Sequence, residues 1–297
     1  ARAAAATERG LTVYSEEEDG SWSFDTLAES LGTGTIVRDS IASTIGPGGL
    51  YNIFGLSPEG DLIRYVQSRD GAWHEWNLSE NQLESRGLST PSFIGPIVAT
   101  RTLWGGLNIA GINEDGDLVT VWTTLTVGRW FLSNLSEYTG AQTFWSGLDI
   151  VAAGRHGIHF SAVDSTGNLT ILSWTPRAGG WTSSTLAGSP RMQQGEISLA
   201  FDGARRALLV TSLRLDSGAL MVHIVPLSFS TPEPFRATIS GFGVPAERRV
   251  RHGIDIQIGS DYLISVVGAN LDGETVRFTA FEPLNTAWEF ENLTEIT

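Results

Sequence analysis

A turn glycine recurs along the chain ahead of similar apolar stretches, at Gly10, Gly60, Gly116, Gly167, Gly218 and Gly273. The separations are 50, 56, 51, 51 and 55 residues. The segments that follow begin Gly-Asp-Leu at Gly60 and Gly116, Gly-Asn-Leu at Gly167 and Gly-Ala-Leu at Gly218. Twelve to seventeen residues further on stands an aromatic: Trp22, Trp73, Trp130, Trp181, Phe235 and Trp288. A short tail closes three copies, as Asn77-Leu78-Ser79, Asn134-Leu135-Ser136 and Asn292-Leu293-Thr294. Two landmarks that agree in six registers define a repeat protein, whose units bury apolar surface against one another.

Each copy divides into four short strand-like segments rich in Val, Ile, Thr and aromatics, punctuated by Gly, Asp, Asn and Ser. The third copy places them at 95–102, 107–112, 118–123 and 129–134. The fourth places them at 148–153, 158–163, 169–174 and 181–186. No stretch combines a helix cap with the i, i+3, i+4, i+7 spacing of an amphipathic helix. The chain is therefore all-β. Four strands per period of 50–56 residues, six times over, match the blade of a β-propeller. Stretches such as Leu169-Thr170-Ile171-Leu172 and Met221-Val222-His223-Ile224-Val225 lack strict alternation, as strands packed on both faces should. The expected fold is one propeller domain over residues 1–297, with six four-stranded blades of which one terminal blade is incomplete.

That incomplete blade is the first. Residues 11–15 and 22–27 align with third and fourth strands, 2–7 supply a second, and a first strand is not evident. An unclosed ring would expose strand edges and invite self-association, or entry into a larger complex, through the open blade. Two other stretches leave the pattern. Residues 228–234 are polar and carry proline, and residues 241–251 hold Glu247, Arg248, Arg249 and Arg251. The second reads as a loop with a local basic cluster, either simply solvated or an anion or partner contact.

Composition excludes several chemistries. With no Cys, disulfides, thiolate metal sites and Cys nucleophiles are ruled out. All 19 basic residues are Arg, which removes Schiff-base and P-loop chemistry. A net charge of -14 disfavours nucleic acid and anionic membranes as partners. No apolar run approaches the roughly 20 residues of a membrane-spanning helix.

Motifs for catalysis or metal binding are weak. Asn113-Glu114-Asp115-Gly116-Asp117 superficially resembles a calcium loop, but hairpin chemistry accounts for it and for the related turns at 57–61, 164–168 and 216–218. The Asn-X-Ser/Thr sequons at Asn77, Asn134 and Asn292 share one place in the repeat, which marks a structural strand end rather than selected glycosylation; a fourth lies at Asn168. Of five histidines, His156 and His159 would point to opposite faces of a strand. No metal, cofactor or catalytic residue is assigned.

Arg38, Arg101, Arg155 and Arg205 fall near first-strand ends in register, close to the candidate acids Asp39, Asp202 and Asp261. Such arginines either clamp blade to blade through those acids or, left unpaired, bind carboxylate or sulfate groups. Trp73, Trp130, Trp181 and Trp288 suit inter-blade packing. The less regular Trp76, Trp104, Trp122, Trp145 and Trp174 offer ring faces to sugars. The candidate ligand-binding set is Arg101, Trp104, Trp145, Arg155 and Arg205.

The order of small-apolar strand, apolar strand, Asp/Asn-Gly turn, strand and Gly-X-Trp strand, seen from Gly106 to Trp130 and from Gly157 to Trp181, resembles the blade of six-bladed propeller lectins of the fucose-binding type. The resemblance implies a carbohydrate-binding propeller. The Arg, Glu and aromatic set of those lectins' sugar sites does not recur here at matched positions, so no binding residue is carried over. The expectation is a non-enzymatic binding module of a secreted or cell-surface bacterial protein, extracellular or periplasmic, that recognises glycan or protein through its blade loops. The alternative is an assembly subunit that docks other chains through the propeller surface and the incomplete blade.

Overall fold

The computed structural model describes residues 2–7, 10–17, 19–27, 31, 36–37, 40–124, 129–141, 143–186, 192–214, 219–227, 235–238, 250–281 and 288–294. Arg38, Asp39, the turn at 216–218, residues 228–234 and the basic cluster up to Arg249 lie outside them. The chain is all-β, with six blades arranged as a β-propeller, and its contacts group into two units, Ala1–Tyr138 and Thr139–Thr297.

The first unit holds three blades, each an antiparallel meander. Blade 1 has three strands, β1 (Arg2–Thr7), β2 (Gly10–Glu16) and β3 (Trp22–Thr26). Blade 2 comprises β4 (Ala42–Ile45), β5 (Tyr51–Leu56), β6 (Leu62–Gln67) and β7 (Trp73–Asn77). Blade 3 comprises β8 (Val98–Arg101), β9 (Leu107–Ile112), β10 (Leu118–Thr123) and β11 (Trp130–Asn134). The second unit holds the other three. Blade 4 runs β12 (Phe144–Ala152), β13 (Ile158–Asp164), β14 (Leu169–Thr175) and β15 (Gly180–Thr185). Blade 5 runs β16 (Met192–Asp202), β17 (Ala207–Arg214), β18 (Leu220–Pro226) and β19 (Phe235–Thr238). Blade 6 runs β20 (His252–Ile258), β21 (Ile264–Ala269), β22 (Thr275–Ala280) and β23 (Glu289–Asn292).

Interior strands send successive side chains into two different cores, which is why they read as unbroken apolar runs. In β17, Leu208 and Val210 pack with Val163, Leu169 and Ile171 of blade 4. Leu209 and Leu213, on the opposite face, pack with Ile256, Val266 and Phe278 of blade 6. Blade 2 does likewise: Ile53 joins Leu11 and Val13 of blade 1, and Phe54 joins Ile109 and Val121 of blade 3. Each such side chain, fully buried, stabilises the fold by about 1.5–3 kcal/mol. Blade 6 differs. In β21, Ile264 and Val266 are buried while Ser265 and Val267 are half-exposed. Its second face is polar and carries Gln257, Ser265 and an ion pair of Arg277 with Glu291.

The hairpins between second and third strands close by side-chain acceptance at one repeat position. Asn113 Oδ1 accepts the N–H groups of Asp115 and Asp117 at 3.1 and 2.7 Å. Asp164 Oδ1 accepts those of Thr166 and Asn168, both at 2.9 Å, and Asn270 Oδ1 accepts those of Asp272 and Glu274 at 3.0 and 2.9 Å. Ser57 Oγ does the same for Glu59 and Asp61 at 3.2 Å each. These are Asx and Ser turns, so the calcium-like oxygens of Asn113 serve the hairpin.

The Asn-Leu-Ser/Thr tail is a clasp between the end of strand four and the start of strand three. Ser79 Oγ accepts from the Leu62 N–H at 2.8 Å, Ser136 Oγ from Leu118 at 3.0 Å and Thr294 Oγ1 from Thr275 at 2.8 Å. Asn77 Nδ2 donates to Asp61 at 2.9 Å and Asn134 Nδ2 to Asp117 at 2.7 Å. Leu78 and Leu135 are fully buried between them. The recurrent sequons thus have a structural cause.

Candidate functional site

In an antiparallel four-stranded blade, the turn from strand one to strand two and the turn from strand three to strand four leave by the same edge. Glycine presses them together. A Cβ on Gly106 would lie 2.4 Å from the Thr123 carbonyl oxygen, and one on Gly157, at φ +111°, would lie 1.9 Å from that of Trp174. Only a residue without a side chain permits that approach. Among the described residues, one concave site along these edges stands out in each unit.

The first is an open cleft of about 780 Å³ between blades 1 and 2. Glu16 borders it from the end of β2, Tyr51 from the start of β5, Gln67 from the end of β6 and Arg69 from the following hairpin. The Gly48 and Gly49 backbone, at φ 74° and 78°, forms one side. The Tyr51 ring is set edge-on against Trp73, with centroids 6.1 Å apart. Gln67 Nε2 donates to the Gly71 carbonyl at 3.0 Å, which fixes the amide. Arg69 is exposed and makes no ion pair with a described acid. The cleft therefore offers a carboxylate, a guanidinium and an amide beside an aromatic ring.

The second, in blade 4, is smaller, about 210 Å³, and is lined by Arg155, His156, Thr175, Pro176, Arg177 and, from blade 5, Leu227. Arg155 and His156 lie in the helical turn Gly154–His156, whose closing N–H, that of His156, donates to the Ala153 carbonyl at 2.9 Å. His156 is thus in a turn rather than on the strand expected for it, and its ring tilts against Phe201 at 5.7 Å.

The candidate residues distribute unevenly. Arg101 ends β8, and Trp104 follows it in the turn closed by Thr102 N–H on the Gly106 carbonyl at 2.9 Å. Both are exposed. Trp145 is 59% exposed, but it sits near the start of β12, at the opposite strand end from Arg155. Arg205 is engaged: Nη1 bonds Asp202 at 2.5 Å and Nη2 donates to the Phe281 carbonyl of the blade 6 region at 2.7 Å. Asp261 accepts the Leu263 N–H at 3.1 Å within its own turn. Among the repeat tryptophans, Trp130 packs across blades on Phe54 at 6.2 Å, and Trp181 packs on Phe160 of its own blade at 5.5 Å.

Two polar features went unremarked in the sequence. Arg64 of β6 donates through Nε and Nη2 to Asn52 Oδ1 at 2.9 and 2.7 Å and lies over the Trp130 ring. Burial lowers its guanidinium pKa from the ordinary value. The inner strands of the second unit are tied by acids: Asp149 Oδ2 accepts from Leu199 N–H at 2.7 Å and Ser198 Oγ at 3.2 Å. Ser198 Oγ lies equally far, 3.2 Å, from Asp255. Asp149 keeps some accessible surface as a residue, yet its carboxylate is enclosed. Burial raises its pKa to about 6, overcoming those hydrogen bonds, with the nearby Asp255 charge adding to the rise. On the neighbouring strand His159 is fully buried beside Ser173 at 2.9 Å, and burial lowers its pKa to about 4.

No family profile and no curated protein matches the sequence. Solved structures do share the fold, that of a six-bladed β-propeller. The chain is similar to the fucose-specific lectin of Aleuria aurantia, with a TM-score of 0.60 and 14% identity over 98% of this chain and 93% of that one. It is also similar to AofleA of Arthrobotrys oligospora, with a TM-score of 0.59 and 14% identity over 99% and 86% of the two chains. At such identity the likeness establishes the architecture. Among the described residues no helix is long and apolar enough to cross a membrane.

Proposed function

We propose that residues 1–297 act as one non-enzymatic recognition domain that binds saccharide at the turn edge of its blades. The carrying observation is the cleft of Glu16, Tyr51, Gln67 and Arg69. Sugar hydroxyls need paired donors and acceptors, and the apolar face of a pyranose needs a ring or a flat backbone to lie on. An Aleuria aurantia lectin variant and the SapL1 lectin, both similar in fold, form complexes with α-methyl fucoside, which supports the reading. A saccharide target supports a location outside the cell, at the cell surface or in the periplasm, and a bacterial source is consistent with the all-arginine composition.

The test is a glycan array probed with the purified chain, with free methyl α-fucoside and other neutral monosaccharides as competitors. Selective, competable binding is expected. A blank array sets the reading aside in favour of an assembly subunit. That second reading has its own support, the side-by-side exposure of Trp22 (53%) and Phe24 (66%) on outer strand β3.

A further inference from the structure

We infer that the blade 4 pocket is a binding site for an anionic substituent, carboxylate or sulfate, of an acidic saccharide. The saccharide carrier rests on the function proposed above; the anion site stands on its own geometry. Two arginines and a histidine line the pocket, and among the described residues no Asp or Glu does. This is a local reversal of sign in a chain of net charge -14. Arg155 makes no ion pair with a described acid. The nearest acid in sequence to the Phe201 ring that supports His156 is Asp202, already engaged by Arg205 at 2.5 Å.

Both arginines spring from constrained backbone. The turn that carries Arg155 is closed by the Ala153 N–H on the Gly157 carbonyl and the His156 N–H on the Ala153 carbonyl, both at 2.9 Å. The turn that carries Arg177 is closed on Thr175, whose Oγ1 accepts the Ala178 N–H at 3.1 Å and whose carbonyl accepts that of Gly179 at 3.2 Å. A guanidinium presents its N–H groups in a planar fork and meets a carboxylate or sulfate by paired N–H···O bonds.

Size and lining narrow the ligand. A volume of 210 Å³ equals that of about seven waters in the liquid and falls below that of pockets enclosing whole small molecules. The pocket suits one charged group with the edge of its ring, the rest of the ligand lying outside. Pro176 and Leu227 give the apolar wall for that edge. The chain's net charge of -14 repels polyanions such as nucleic acid.

The test is titration calorimetry at physiological ionic strength with four probes: hyaluronan tetrasaccharide, chondroitin sulfate tetrasaccharide, neutral chitotetraose and inorganic sulfate. The full chain is compared with Arg155→Ala, Arg155→Lys and the cleft variant Arg69→Ala. At least one acidic tetrasaccharide should bind more tightly than chitotetraose and sulfate. Arg155→Ala should weaken it about ten- to a hundredfold, with Arg155→Lys between, and thermal midpoints should stay unchanged because Arg155 is exposed. Arg69→Ala should leave acidic binding intact, and absence of neutral-sugar binding by the wild-type chain would count against the cleft and not this pocket. Equal binding of wild type and Arg155→Ala overturns the inference. So does inorganic sulfate binding as well as the tetrasaccharides, which would define a free-anion site.

Discussion

Gly157 backs onto Trp174 so closely that a Cβ would stand 1.9 Å from the carbonyl oxygen, and its φ of +111° is one that side chains rarely adopt. Both obstacles are backbone, so neither can be relieved by a rotamer change. Gly157→Ala should cost more than about 3 kcal/mol. Gly180, with nothing within 4 Å of its virtual Cβ, is the matched control and should tolerate Ala within about 1 kcal/mol. Urea midpoints of the two variants decide it.

The tail clasp makes a second prediction. Ser79→Ala and Ser136→Ala each orphan a buried strand N–H, that of Leu62 and of Leu118. Each should lose about 1–3 kcal/mol, and the double variant should lose the sum because the serines belong to different blades. Removing the sequons this way would therefore reduce stability even in a host that does not glycosylate.

Asp149 and His159 should act on acid stability in opposite directions. The folded pKa of Asp149 is raised to about 6, so its contribution is present at low pH and is lost as pH rises through 6. That of His159 is lowered to about 4, so its contribution is present above its unfolded value and is lost as pH falls through 4. Each amounts to about 3 kcal/mol, and between pH 4 and 6 they largely offset. Asp149→Asn should therefore make stability climb with pH across that window, and His159→Gln should make it fall. Thermal midpoints from pH 4 to 7 give the slopes; two variants with the wild-type profile would refute the account.

Arg205 stabilises rather than presents a free guanidinium. Arg205→Ala leaves the fully buried Asp202 with backbone donors only, those of Ala204 and Arg205. The cost should be about 2–3 kcal/mol, and Asp202→Asn combined with Arg205→Met should recover part of it. Chemical denaturation of the wild type and the two variants measures this directly.

Much of the architecture was legible because its causes are local. The expected segments 107–112 and 118–123 coincide with β9 and β10, since apolar runs and Asx-turn residues mark strand and hairpin without reference to distant chain. The three strands of blade 1 were legible for the same reason. Less visible were Gly55, Gly111 and Gly268, which hold one position in three second strands. A Cβ there would strike Ile36, Phe93 or Val250 at 2.7, 2.5 and 2.5 Å, side chains arriving from the segment before the blade. Tertiary contact alone explains those glycines. The site was less legible still. Arg205 is occupied by a carbonyl 76 residues away. Trp145 parts from Arg155 because β12 begins at Phe144, so the strand carries the two to opposite edges. Glu16, Tyr51, Gln67 and Arg69 come together from two blades, and no spacing within one repeat announces them.

The most direct test is calorimetric titration of the array's strongest neutral saccharide into the wild-type and Arg69→Ala chains. The account predicts saturable binding that Arg69→Ala weakens at least about tenfold, with the thermal midpoint unchanged. Undiminished binding by Arg69→Ala, or no heat with any saccharide of the panel, would contradict it.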